Sequence, residues 1–132
     1  MKPYLDLKSA RLALSAAEQE AERQGWPAVI SVVDDAGEII LTVRMDKAST
    51  PAGVELAPGK ARTAALFRRE SGALEDAING KRPAAATARG FVMMRGGVPL
   101  TVNGVIVGAI GVSADLPDHD EAIAKAGASA LR

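Results

Sequence analysis

The sequence contains no cysteine, which excludes disulfides, thiolate nucleophiles, zinc–thiolate sites and iron–sulfur clusters. It has one histidine, His119, so a single chain offers no His-rich metal site and no metal is expected. Aromatic residues make up 3% of the chain, namely Tyr4, Trp26, Phe67 and Phe91. An excess charge of either sign is also missing, because 16 basic residues balance 16 acidic ones. Binding to a phosphate backbone draws its affinity from concentrated positive charge, so nucleic acid is not an expected partner. No stretch approaches the ~20 apolar residues of a membrane span, and charges interrupt the N-terminus at Lys2 and Asp6. The chain therefore reads as a cytoplasmic protein with no membrane partner.

What is present is small and apolar. The 132 residues are 48% hydrophobic and include 26 alanines and 13 glycines. That is enough for one packed core, and the length fits a single domain over residues 1–132. Each alanine buries little area, but it lets elements approach closely. A net charge near zero also favours association between copies.

Apolar residues recur at helical spacing from Leu7 to Gln24 (Leu7, Ala10, Leu14, Ala17, Ala21), with Asp6 placed as N-cap and Gly25 as stop. Ala28 to Val33 and Ile39 to Met45 read as a β-hairpin closed by a Gly37-containing turn. Asp46 to Gly53 reads as loop. Because proline is tolerated in a helix's first turn and damaging later, the second helix is expected to begin at about Pro58 and end near Arg69. Ser71 is the expected N-cap of a short third helix stopped by Gly80, and Lys81 to Gly90 reads as loop. Phe91 to Met94, Val98 to Val102 and Val105 to Val112 read as strands, the last two joined by Asn103-Gly104, a strong hairpin signal. Asp118 and Glu121 fit a capping box opening the last helix. This order predicts an α+β fold with a five-stranded, mostly antiparallel sheet flanked by helices.

Four groups of residues are candidates for chemistry. Arg44-Met45-Asp46 ends the second strand, where Arg44 could present a planar guanidinium to a carboxylate. Lys60 and Thr63 share a helix face beside Ala61 and Ala64, which leaves Lys60 either solvated or partly desolvated as an anion site or general base. In Met93-Met94-Arg95-Gly96-Gly97, the methionines point to opposite faces of an extended segment and the glycine pair could receive an anion on its N–H groups. His119 opens a helix among Asp118, Asp120 and Glu121, and would serve as a haem or metal ligand only by reaching a pocket. No common nucleotide-binding glycine motif is present.

These pieces, in this order, resemble the GlcG/HbpS family, the haem-binding or haem-degrading domain type also found at the C-terminus of PduO-type cobalamin adenosyltransferases. The matching segments are Val32-Val33-Asp34 with Gly37; Arg44-Met45-Asp46; Lys60-Ala61 with Thr63-Ala64 and Phe67; Gly96-Gly97-Val98-Pro99; Gly108 through Ser113; and Asp120-Glu121 with Ala124. The chain departs from the family pattern at Ala114, where a glycine is common, and at Pro58-Gly59. The resemblance implies a profilin- or roadblock-like sheet and self-association from dimers up to octamers.

Three functional readings follow. The first is a homo-oligomeric protein binding an anionic small molecule, namely haem or another tetrapyrrole. Arg44, Lys60 and Arg95 would pair with its propionates, and Thr63, Met93, Met94, Gly96, Gly97 and His119 would be further contacts. The second is a small lyase or isomerase acting on a carboxylate, with Lys60 or Asp46 moving the proton and the Gly96-Gly97 amides stabilising developing charge. The third is an accessory or structural subunit without a ligand. With so few aromatic walls, a haem slot would have to be shared between subunits.

Overall fold

A computed structural model describes residues 2–131. Helix α1 spans Leu7–Gln24, with the Asp6 carboxylate accepting from the Ser9 N–H at 2.7 Å and Gly25 closing the helix at φ 75°. Both are the expected caps. The buried stripe is Ala10, Ala13, Leu14, Ala17 and Ala21, while Leu7 stays exposed.

Strands β1 (Val29–Asp34) and β2 (Ile39–Arg44) form the first hairpin. Its turn is pinned by Asp34, whose Oδ1 accepts from Ala36 and Glu38 N–H at 2.9 and 3.0 Å. Strands β3 (Gly97–Val102) and β4 (Val105–Ser113) form the second hairpin, with Asn103 and Gly104 at φ 53° and 77° as an Asn-Gly turn requires. The two hairpins join through β1 and β4 into an antiparallel sheet of order β2-β1-β4-β3.

Among the described residues the sheet has four strands, not the expected five. Phe91 to Met94 forms no strand, and two of its backbone groups are met by helix side chains instead of a strand ladder. Val92 N–H donates to Thr63 Oγ1 at 2.9 Å, and the Met94 carbonyl accepts from Ser71 Oγ at 2.6 Å. Gly90 and Gly96, at φ 84° and 126°, turn the chain at either end of the segment.

Helix α2 covers Gly53–Phe67, five residues earlier than expected, with Pro58 inside it. The proline removes only the N–H that would bond to the carbonyl of Val54, an exposed residue. Packing of the surrounding turns outweighs that loss: Gly53, Ala57, Lys60, Ala61 and Ala64 are all buried against the sheet. Helix α3 is Ser71–Ile78, and a short 3₁₀ segment, Pro83–Thr87, lies within the expected loop. Ser71 is not the α3 cap, because Glu70 occupies that position and the Ser71 hydroxyl turns inward. Helix α4 spans Pro117–Ala128 and opens on proline, so the Asp118/Glu121 capping box does not form. Instead Asp115 accepts from the Leu116 N–H at 2.8 Å.

The sheet is covered on both faces. Helix α2 lies across β4, β1 and β3, while α1 and α4 pack together over the other side. Consecutive β4 residues show the alternation. Ile110 Cδ1 lies against Gly127 of α4, whereas Gly111 faces α2 so closely that a Cβ there would stand 2.5 Å from the Ala61 nitrogen. The main core (Ile30, Val32, Leu100, Ile110, Val112, Ile123) sits on the α1/α4 side, and a smaller one of Val33, Ala61, Ala64, Ala65 and Ala109 lies under α2.

Candidate functional site

Lys60 projects from the middle of α2 towards the end of β4 and the first turn of α4. Its side chain is 2% exposed, and Nζ donates to Asp120 Oδ2 at 2.8 Å and to the Val112 carbonyl at 2.9 Å. The other Asp120 oxygen accepts from the Ala114 N–H at 2.7 Å. Burial pushes the Asp120 carboxyl above the ordinary aspartate value, while the Lys60 ammonium and the Ala114 N–H oppose that rise. One ion pair thus ties α2, β4 and α4 together.

Arg95 makes a second junction. Nη1 lies 2.8 Å from Glu121 Oε2, Nη2 bonds Asp76, and Nε is 3.5 Å from Glu75 Oε2. The hydrogen bond to Asp76 raises the guanidinium above its ordinary value against the effect of burial. Arg95 therefore reaches two helices, α3 and α4, and its charge is already matched by three carboxylates.

Lys60 and Arg95 both line a cleft of about 150 Å³, with Leu56, Met94, Ser113 and Asp120 among its other walls. Glu75 and Asp115 also border it. Counting Asp120, three carboxylates face two cations, so the cleft carries no excess positive charge.

The other sequence candidates are placed as follows. Met94 is 45% exposed on the cleft wall, and Met93 is partly buried beside it in the chain. Thr63 is fully buried, donating to the Gly59 carbonyl at 2.7 Å and accepting from Val92. Gly97 N–H donates to Ser71 Oγ at 2.8 Å, and the Gly96 carbonyl accepts from Val112 N–H at 3.0 Å. The glycine pair lets two chain segments meet: a Cβ on Gly97 would collide with the Lys60 carbonyl, and one on Gly96 would sit 2.8 Å from the Val112 carbonyl oxygen. Arg44 and Asp46 are exposed and line a separate, wider depression of about 370 Å³, which shares Thr50 with the cleft. Arg44 does not join Lys60 and Arg95 in one cluster. His119 lies flat on Trp26, ring centroids 3.6 Å apart, and its Nδ1 is 2.8 Å from Asp115 Oδ1, leaving Nε2 for any other contact.

Sequence reasoning missed Asp120 as the partner of Lys60. A buried lysine requires a counter-charge, and Asp120 lies one helical turn beyond Pro117, but only the fold brings the two together. It also missed Ser71, whose hydroxyl serves both sides of the Arg95-Gly96 bend. Among the described residues, no group of three or more His, Asp and Glu side chains is arranged to hold a metal ion, and no helix is long and apolar enough to cross a membrane.

Comparison with known proteins agrees with this architecture. GlcG of Escherichia coli K12 is 39% identical over 112 residues, covering 85% of this chain and 83% of that protein. The corrinoid adenosyltransferase PduO of Salmonella typhimurium is 32% identical over 88% of this chain, which spans only 35% of PduO. A double mutant of HbpS from Streptomyces reticuli superposes with a TM-score of 0.91 at 32% identity, over all of this chain and 90% of that one. The PduOC–haem complex superposes with a TM-score of 0.86 at 27% identity, over 98% of this chain and 96% of that one. The family model described as haem degrading protein HbpS-like matches residues 5–129, and the chain belongs to that family.

Proposed function

We propose that this protein binds haem or another tetrapyrrole in a slot completed by a second copy of the chain. The observation that carries the reading is the arrangement around Thr50. It borders both the cleft, with the half-exposed Met94 thioether, and the wider depression that holds Arg44. A thioether is a haem ligand, and an exposed guanidinium suits a propionate. The likeness to a domain solved as a haem complex supports the same reading.

The cleft alone is too small. At about 150 Å³ it falls below the ~300–1,000 Å³ of pockets that enclose drug-sized ligands, and a tetrapyrrole is larger still. Exposed Val54, Met94 and Leu116 supply apolar surface that a second subunit would cover. Arg95, held by Glu75, Asp76 and Glu121, serves as scaffold, which leaves Arg44, with Lys47 beside it in the depression, for the ligand's carboxylates.

Titration of the purified protein with hemin tests the proposal. A saturable Soret shift is expected, weakened by Met94→Ala and by Arg44→Ala, together with a sedimentation coefficient above that of a monomer. A Soret band that never shifts, or one indifferent to both substitutions, would overturn it.

A further inference from the structure

The Lys60–Asp120 pair, in the same cleft, has a capacity that the tetrapyrrole reading does not use. A lysine ammonium carries three N–H donors. Among the described residues Nζ meets two acceptors, the Val112 carbonyl and Asp120 Oδ2. The side chain is 2% exposed, so bulk water does not freely solvate the remaining donor, yet Lys60 lines the cleft. That third N–H is the donor the pair leaves unused at the edge of the cleft.

Size and charge then restrict the occupant. Water occupies about 30 Å³ per molecule in the liquid, so a 150 Å³ cleft matches an organic molecule of only a few heavy atoms. Asp115, Asp120 and Glu75 border the space against the Lys60 and Arg95 cations, and Arg95 pairs in addition with Asp76 and Glu121 outside it. An anionic occupant would meet more negative than positive charge there. Leu56 and Met94 add apolar wall, and the Thr50 and Ser113 hydroxyls border the same space. An uncharged carbonyl oxygen accepts from Lys60 without adding charge.

We propose that this cleft is a binding site for a small uncharged carbonyl compound of two to four carbons, its oxygen accepting from Lys60 Nζ and a neighbouring hydroxyl reaching Ser113 or Thr50. The ammonium is already oriented by Asp120 and Val112, so binding orders no flexible side chain. The site needs neither haem nor a second subunit.

Ligand-observed NMR on the full chain with hydroxyacetone, beside its isosteric acid glycolate, tests the site. Hydroxyacetone is expected to give saturation transfer and to shift the Met94 methyl resonance, with a dissociation constant of about 1–10 mM. Glycolate is expected to bind at least about tenfold more weakly, the opposite order to an anion site. The Lys60→Met/Asp120→Leu double variant removes both charges together, and Thr50→Trp fills the exposed mouth without touching the pair. Each is expected to weaken hydroxyacetone binding by about tenfold or more. Retention of binding in Thr50→Trp, glycolate binding as tightly as hydroxyacetone, or no saturation transfer at about 100 mM would each overturn the proposal. Since hemin is absent throughout, failure here leaves the Soret titration to be judged separately.

Discussion

Lys60 and Asp120 stand 60 residues apart in sequence and 2.8 Å apart in space, and neither is reached by bulk solvent to any great extent. Replacing one partner leaves the other as an uncompensated buried charge. Lys60→Met is expected to lower unfolding free energy by about 3–5 kcal/mol, whereas Lys60→Met/Asp120→Leu recovers only part of that loss, because it still leaves the Ala114 N–H and the Val112 carbonyl without their side-chain partners. Urea unfolding measures both. If the single and double variants were equally unstable, charge would not be what the pair contributes.

Asp120 and Asp35 respond to pH in opposite senses. Burial raises Asp120 above the 3.8 of a free aspartate. The native state then holds this proton more tightly than the unfolded chain. The stability Asp120 contributes through its titration is present below 3.8 and is lost as pH rises through its folded value. Asp35 moves the other way: the Lys2 hydrogen bond lowers it, so its contribution is present above 3.8 and lost as pH falls through its folded value. Carbon-detected NMR titration of the side-chain carboxyls is expected to show Asp120 midpoints above, and Asp35 midpoints below, the free value. The reverse order would contradict the burial argument.

Ser71 accepts from Gly97 N–H and donates to the Met94 carbonyl in a position with no exposure. Ser71→Ala strands both groups and is expected to destabilise the fold by about 1–3 kcal/mol. It should also speed hydrogen exchange at Gly97 while leaving exchange within α1 unchanged. A thermal melt with residue-resolved exchange checks this, and an unchanged Gly97 rate would count against the assignment.

Local chemistry carried most of the fold into the sequence. Asp6 and Gly25 bound α1, and Asn103-Gly104 joins β3 to β4, because each sets its own backbone within a few residues. Features set by distant partners were illegible. Phe91 to Met94 has the apolar character of a strand, but Thr63 and Ser71 satisfy its backbone from two helices. Pro58 announces a helix start in isolation and lies inside α2 because the flanking turns bury against the sheet. Lys60 was recognisable as a lysine beside small residues. Its counter-charge was hidden, since the same Asp120 reads locally as one more acid at a helix N-terminus.

The contact between Gly111 and the α2 backbone at Ala57 and Ala61 also limits how this chain can diverge. Glycine is the smallest residue, and alanine is one methyl above it. Substitution in this layer can therefore run almost only towards larger volume, and a packed interior resists that direction. A lineage could enlarge the α1/α4 side and shrink it back by degrees, but under α2 it has nearly no smaller state from which to start. The spacing between α2 and β4 should thus drift slowly, and with it the reach of Lys60 into the cleft.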